Sequence, residues 1–236
     1  MGEVAALADL HTRYAHCRRI AVGVSVIDPA DPAASGFHAI LARDGDGTAP
    51  QADLAAHPRH APVPVAGVIL ADTQPEYGAR GRGDQVGADL TRWLRDWDCA
   101  LVPLDTRLDQ EDWRLPRRPA ELEAVIRRLD LVVTTRLHGL VLALKNGVPG
   151  LAVDPVAGGA KVAAQAQAWV WPATMTVENL SQAALGYWRD WCLSPAGKSA
   201  ALRAAGSPPA SPLRSLRRAA EIEHLGHRQE RRQTPG

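Results

Sequence analysis

Short apolar runs alternate with stretches of helical periodicity along the chain from residue 61 onward. The apolar runs are rich in Val, Leu and Ile, which is typical of strands that are buried on both faces of a sheet. This alternation predicts the α/β fold class, as a Rossmann-like parallel sheet with helices on both faces. The predicted strands are residues 65–70, 100–104, 131–135, 150–153 and 173–177, and the predicted helices are residues 84–96, 120–129, 138–145, 160–168 and 181–193.

The two ends of the chain do not continue this alternation. The N-terminal segment predicts a surface helix, one buried strand at 20–27 and a helix at 37–42, which cannot enclose a core of their own. We therefore expect a remnant of a preceding domain or a strand added to the main sheet. The C-terminal segment is basic with few large apolar residues, so we expect removal of residues 200–236 to leave the fold intact. The predicted organisation is a partial N-terminal segment over 1–60, a Rossmann-like domain over 61–195 and a disordered basic tail over 196–236.

Composition narrows the classes of protein further. The 236 residues include 27 Lys plus Arg and 26 Asp plus Glu, a balance that disfavours a nucleic-acid partner. No apolar run approaches the roughly 20 residues that cross a bilayer, so we expect no membrane span. The three cysteines, Cys17, Cys99 and Cys192, lack the spacing of a disulfide framework or a zinc site. We therefore expect a cytoplasmic location.

The turn after the predicted strand 131–135 carries the strongest candidate chemistry. Thr135, Arg136, His138 and Gly139 lie where a strand leads into a helix, and helix N-termini at such turns attract anions. Arg136 offers a planar fork that matches carboxylate or phosphate, and Gly139 allows close approach of a backbone. His138 adds an imidazole, which suits general acid or base work. The alternative is that Arg136 and His138 only bond to neighbouring loops.

A second strand-to-helix loop offers another anion element. Asp154 follows the strand 150–153, Gly158 and Gly159 are paired in the loop, and Lys161 begins the next helix. Together they predict a second contact with an anionic ligand, and the alternative is a flexible turn with Lys161 in solvent.

Two further loops carry weaker signals. The loop 78–84 contains Arg80 and Arg82 but lacks the dinucleotide fingerprint, so it is either a lid over an anion or an exposed loop. The carboxylates after the strand 100–104 lack the spacing of a metal site, and we interpret them as a solvated loop. They are Asp105, Asp109, Glu111 and Asp112.

The chain reads LDLVVTTRLHG at 129–139 and GVP at 147–149, and a strand then leads to KV at 161–162. These motifs resemble the C-terminal domain of polysaccharide pyruvyl transferases, and their order and spacing agree with that domain over residues 61 to about 180. The resemblance implies one half of a glycosyltransferase-B fold, which consists of two Rossmann-like domains. It also implies transfer of a pyruvyl unit from phosphoenolpyruvate to a sugar diol of a cell-surface polysaccharide, with no cofactor besides this donor substrate.

By that resemblance, Arg136 and His138 fall on the donor-binding, catalytic turn. We therefore predict a catalytic role for His138, and no metal. The predicted substrate-binding residues are Arg136, Thr135, Gly139, Asp154, Gly158, Gly159 and Lys161.

The family places a whole N-terminal domain ahead of this one, whereas about 60 residues precede it here. The resemblance therefore implies either a remnant or an acceptor half that a second chain supplies. Two other functions stay open beside a pyruvyl transferase. One is a nucleotide-sugar glycosyltransferase half-domain, and the other is a non-enzymatic, degenerate anion-binding module.

Overall fold

The computed structural model describes residues 2–45, 47–56, 61–71 and 74–210 of the chain. The chain divides into two compact units, Met1–Pro62 and Val63–Gly236. The first unit contains the predicted surface helix and the predicted strand 20–27. Its elements are helix α1 (Gly2–Arg13), strand β1 (Ile20–Val26), helix α2 (Pro32–Ser35), strand β2 (Ala39–Gly45) and a 3-10 turn at Leu54–Ala56.

Strand β2 corrects the prediction of a helix at 37–42. It lies parallel to β1, with Ala39 opposite Ile20. The run is short, so its hydrophobic pattern fits a helix and a strand equally, and its hydrogen bonds to β1 decide the outcome. Among the described side chains of this unit, Ala21 is the one buried hydrophobic. Val22 and Leu41 on the two strands are 47% and 60% exposed.

The second unit is built on a five-stranded parallel sheet in the order β4-β3-β5-β6-β7. The apolar runs of the sequence form these strands, as predicted. β3 has β4 on one side and β5 on the other, so the order of the chain through the sheet reverses beside β3. The strands are β3 (Val65–Ile69), β4 (Ala100–Pro103), β5 (Leu131–Thr134), β6 (Gly150–Asp154) and β7 (Thr174–Thr176).

Helices cover both faces of this sheet and confirm the predicted fold class. Leu131 and Val133 belong to one cluster of buried residues, whereas Val132 between them belongs to a second cluster. Successive strand residues point to opposite faces, so each face of β5 has its own core. The helices are α3 (Gly83–Arg95), α4 (Pro119–Ile126), α5 (Leu137–Lys145), α6 (Lys161–Ala168), α7 (Gln182–Leu193) and α8 (Pro195–Gly206). None of these described helices is long and apolar enough to cross a membrane.

Helix α8 corrects the predicted start of the tail at residue 196. Ser194 caps it by accepting the N–H of Gly197 over 3.2 Å, and Ala201 is fully buried. A Cβ on Gly197 would lie 2.2 Å from the carbonyl oxygen of Trp191 in α7, so small side chains bring these two helices together. The lack of large apolar residues predicts disorder here, yet close packing of small residues buries Gly197 and Ala201 and holds the helix in place. The remainder of the predicted tail, 211–236, lies outside the described residues.

Candidate functional site

A cavity of about 420 Å³ opens at the carboxyl ends of β3 and β5. The order of the strands reverses between these two neighbours, and this switch point is where open parallel sheets form their ligand crevice. Four loops contribute to the wall, one after each of β3, β4, β5 and β6. The lining residues are Ala71, Gln74, Thr106, Arg136, Leu137, His138 and Lys161.

Arg136 stands at the N-terminal end of α5 and forms part of the cavity wall. Its backbone N–H donates to Thr134 Oγ1 over 2.9 Å, and Thr134 Oγ1 lies 2.9 Å from the carbonyl oxygen of Ile69. Its Nη1 donates to Asp105 Oδ1 over 3.0 Å and lies 3.2 Å from Thr106 Oγ1. The guanidinium is therefore held by residues of the loop after β4, and the backbone of Arg136 is held by Thr134 in its own turn.

Asp105 is a part of this site that the sequence analysis missed. Its side chain is 17% exposed, so it does not belong to a solvated loop. Burial alone would raise the pKa of the Asp105 carboxyl, but the hydrogen bonds from Arg107 and the charge of Arg136 outweigh burial and lower this pKa below its ordinary value. Asp105 is therefore an ionised carboxylate at neutral pH. The signal that could have identified Asp105 was an Asp that follows a strand and precedes an Arg by two residues.

His138 is the second residue of α5 and its exposed imidazole lines the same cavity. In the part of the chain that the structure describes, the imidazole makes no hydrogen bond, and no side chain caps α5. The positive end of the helix dipole therefore faces the cavity beside Arg136. Arg136 and His138 therefore line the same cavity from a single turn.

Thr135 and Gly139 lie in that turn but not on the cavity wall. Thr135 is 3% exposed, and its Oγ1 accepts the N–H of Ala71 over 2.6 Å, which joins the ends of β3 and β5. A Cβ on Gly139 would lie 2.3 Å from Thr134 Oγ1, so this glycine lets α5 pack against the sheet. Both residues shape the turn that presents Arg136 and His138, instead of facing a ligand.

Lys161 reaches the cavity from the first turn of α6. Its Nζ lies 3.6 Å from Glu76 Oε1 and 5.6 Å from the centre of the Tyr77 ring. Its side chain is 44% exposed, which leaves the ammonium accessible to a ligand. The structure thus brings Arg136, His138 and Lys161 together, as the sequence analysis predicted.

Asp154 has a different role from the predicted one. Its carboxylate is buried and accepts three backbone N–H groups, from Val156 over 3.0 Å, Ala160 over 2.7 Å and Ala163 over 2.9 Å. Two of these groups belong to the beginning of α6, where a ligand anion would otherwise bind. Asp154 therefore caps α6 and occupies its anion position, so the prediction that it binds substrate is corrected.

The paired glycines of the same loop also have a structural role and not the predicted role in ligand binding. Gly158 and Gly159 have φ of +78° and +76°, a conformation that glycine adopts without strain. The N–H of Gly158 donates to Glu178 Oε1 over 2.7 Å, and that of Gly159 donates to the carbonyl oxygen of Val156 over 2.8 Å. Their N–H groups are thus used within the fold, and neither glycine lines the cavity.

The loop 78–84 is bonded to this glycine loop. Arg80 donates from Nε to the carbonyl oxygen of Ala157 over 3.1 Å and from Nη2 to that of Gly159 over 3.2 Å. Gly81 and Val156 also form an antiparallel bridge. The arginine that suggested a lid over an anion therefore joins two loops.

Gln74 and Thr106 line the cavity although the sequence analysis did not select them. Oε1 of Gln74 is buried and has no hydrogen-bond partner among the described residues, so it is an acceptor available to a ligand donor. Both residues follow the carboxyl ends of strands, which is the signal that would have found them. Across residues 2–45, 47–56, 61–71 and 74–210, no group of three or more His, Cys, Asp or Glu is placed to hold a metal ion.

Comparison with solved structures finds glycosyltransferases at low similarity. The glycotransferase of kitacinnamycin is 17% identical with a TM-score of 0.37, and the match covers 68% of this chain and 44% of that chain. The spinosyn rhamnosyltransferase SpnG complexed with thymidine diphosphate is 12% identical with a TM-score of 0.40, covering 91% of this chain and 78% of that chain. This chain thus spans less than half of the first of these proteins.

No curated protein matches the chain. A family model does, over residues 87–155, and its description is Polysaccharide pyruvyl transferase. The matched segment runs from α3 to the end of β6 and contains both Arg136 and His138. It therefore confirms, for this segment, the resemblance of the chain to the polysaccharide pyruvyl transferase family.

Proposed function

We propose that the unit Val63–Gly236 binds phosphoenolpyruvate in the cavity between β3 and β5, as the donor-binding half of a pyruvyl transferase of the glycosyltransferase-B type. One observation carries the proposal. A single cavity combines Arg136, Lys161, the imidazole of His138 and the positive end of α5. Its volume, about 420 Å³, suits a small molecule, since such sites measure roughly 300 to 1,000 Å³.

The charges of the cavity suit this donor. Phosphoenolpyruvate carries a carboxylate and a phosphate, and each needs charge-assisted hydrogen bonds once it leaves water. Arg136 and the first turn of α5 bind one anionic group, and Lys161 binds the other from the opposite loop. No cofactor is needed for these contacts.

His138 serves the proton transfers of ketal formation. The bond between C2 of phosphoenolpyruvate and its phosphate oxygen breaks, and two bonds form from C2 to the two oxygens of a sugar diol. One of the two hydroxyl protons ends on C3, which becomes a methyl group, and the other ends on the departing phosphate. A neutral imidazole accepts a hydroxyl proton, and an imidazolium donates one to C3.

The sugar of the polysaccharide precursor is held by elements beyond this cavity. The lining residues account for the two anionic groups of the donor, and we propose that a second chain supplies the wall against which the acceptor binds.

We also propose a cytoplasmic location, since the three free cysteines suit a reducing compartment.

Calorimetric titration with phosphoenolpyruvate tests the donor site. Arg136→Ala is expected to weaken binding about 30-fold, equivalent to ~2 kcal/mol, because a charge-assisted contact is lost. Lys161→Ala weakens it less, and His138→Ala leaves it within about twofold. The matched controls Arg92→Ala, Lys198→Ala and His16→Ala replace side chains that do not line the cavity and leave the affinity unchanged.

Two parallel titrations separate the alternative functions. Binding of thymidine diphosphate without phosphoenolpyruvate would favour a nucleotide-sugar transferase half-domain and refute the donor assignment. Equal affinity for phosphate, pyruvate and phosphoenolpyruvate would indicate a simple anion-binding module.

An activity assay tests the catalytic role of His138. Ketal formation on galactose-, mannose- and glucosamine-containing acceptors, followed by mass, is expected to be slow for this chain alone and slower by about 100-fold in His138→Ala.

A further inference from the structure

Asp105 and Arg136 meet above the end of a strand that separates them in the sheet. Asp105 follows β4 and Arg136 follows β5, with β3 between these strands. Their side chains are 17% and 19% exposed, and Nη1 of Arg136 lies 3.0 Å from Oδ1 of Asp105. An ion pair that is this well shielded from solvent restricts a long side chain more than a surface pair does.

The carboxylate of Asp105 is itself held in place. Oδ1 accepts the backbone N–H of Arg107 over 2.9 Å, and Oδ2 accepts Nε of the same residue over 2.7 Å. Nη2 of Arg107 lies 2.6 Å from Oδ2 as well. This fork fixes the rotation of the carboxylate, so that Oδ1 is presented to Arg136.

We propose that Asp105 is a positioning residue, which holds the guanidinium of Arg136 on the wall of the cavity before an anion arrives. The inference rests on the proposed function, because it concerns the same anion site. A carboxylate beside an anion site also repels the anion, so two effects compete. Arg107 neutralises Asp105, and the group of Asp105, Arg107 and Arg136 keeps one net positive charge. The favourable effect of orienting Arg136 therefore exceeds the repulsion between Asp105 and the anion.

The chain contains a matched control for this experiment. Asp112 and Arg114 form a similar fork on the same loop, with the N–H and Nε of Arg114 at 3.0 Å and 2.8 Å from Asp112 Oδ1. Nη2 of Arg114 lies 2.8 Å from Asp112 Oδ2. Neither Asp112 nor Arg114 lines the cavity, so their fork can be removed without a change at Arg136.

Two measurements on the full chain test the proposal. In titrations with phosphoenolpyruvate, Asp105→Ala is expected to weaken binding about tenfold and Asp105→Asn about threefold, because asparagine retains an acceptor oxygen for Arg136. Asp112→Ala is expected to bind like the unchanged protein. Tighter or equal binding by both Asp105 variants would overturn the proposal, because repulsion would then be the dominant effect.

The second measurement needs no ligand. The Nε–Hε signal of Arg136 in ¹⁵N-resolved spectra, assigned by its loss in Arg136→Lys, reports the order of the guanidinium. It is expected to broaden or move to the position of a free arginine in Asp105→Ala, to change less in Asp105→Asn, and to stay unchanged in Asp112→Ala. An unchanged signal in Asp105→Ala would overturn the positioning role. If the unchanged protein does not bind phosphoenolpyruvate, the proposed function fails, and this signal still decides the role of Asp105.

Discussion

Replacement of Asp154 by alanine provides a sharp test of the assignment of this carboxylate to the fold. Asp154 is 1% exposed, and it is the acceptor for the N–H groups of Val156, Ala160 and Ala163. In Asp154→Ala all three groups lose their acceptor at once, in a place that is nearly closed to water. If Asp154 served a ligand instead, this change would affect binding and leave stability nearly unchanged.

The magnitude follows from the number and burial of these bonds. Loss of a helix N-cap costs about 0.5 to 2 kcal/mol, and a buried donor left without an acceptor costs about 1 to 3 kcal/mol. Loss of the negative charge at the start of α6 adds about 0.3 to 1 kcal/mol. Allowing for water that enters the space of the missing carboxylate, we expect Asp154→Ala to lower the free energy of unfolding by about 3 kcal/mol. Asp154→Asn is expected to cost about 2 kcal/mol, because one of its two terminal groups is a donor that faces other donors.

Urea denaturation and thermal melting measure this cost. A loss of about 3 kcal/mol corresponds to a decrease in Tm of roughly 6 to 12 °C in a unit of this size. The control is Asp130→Ala, which removes one hydrogen bond to the N–H of Val65, 2.9 Å long, and an ion pair with Lys198 at 3.7 Å, from a carboxylate that is 41% exposed. It is expected to cost less than about 1 kcal/mol. A stable Asp154→Ala variant that no longer binds phosphoenolpyruvate would refute the reasoning and restore the ligand-binding role.

Three further predictions concern other parts of the second unit. Gly139→Ala places a Cβ 2.3 Å from Thr134 Oγ1, so we expect the free energy of unfolding measured by urea denaturation to fall by about 2 kcal/mol. A more stable variant would contradict the tight packing of α5 against the sheet. Val170 has φ +52° at the end of α6 and is 88% exposed, so Val170→Gly is expected to raise stability by about 0.5 to 1 kcal/mol, and a lower Tm would contradict this. Burial raises the pKa of the Cys192 thiol to about 12, so alkylation at pH 8, followed by mass, is expected at the exposed Cys17 long before Cys192.

The sequence was sufficient for the parallel sheet because that signal is strong and local. Runs such as LVV at 131–133 are apolar at every position, which is typical of strands with a core on each side. Strand β2 and helix α8 could not be predicted in the same way. β2 depends on hydrogen bonds to β1, and α8 depends on the close approach of Gly197 to α7, and neither partner is visible in the local pattern.

The candidate site was predictable in part for a related reason. The rule that ligands bind at the carboxyl ends of parallel strands located Arg136 and His138, which lie in one turn. Lys161 was located by the same rule, as the first residue of the helix after β6. Asp105 was missed because its contact with Arg136 joins residues 31 positions apart, across an intervening strand. The rule locates loops, whereas such a contact depends on the order of the strands.

The sequence made both strand-to-helix turns candidates for binding an anion, and a single carboxylate distinguishes them in the structure. Both α5 and α6 begin at the same edge of the sheet, and each carries a cationic side chain at its start, Arg136 or Lys161. At α6 the protein's own Asp154 takes the backbone N–H groups, so Lys161 can contribute only its side chain. At α5 no side chain of the described residues takes that place, so the backbone N–H groups and the side chain of Arg136 can act together. Under the proposed function, an anionic donor is therefore expected to bind with one charged group at α5 and to extend the other toward Lys161.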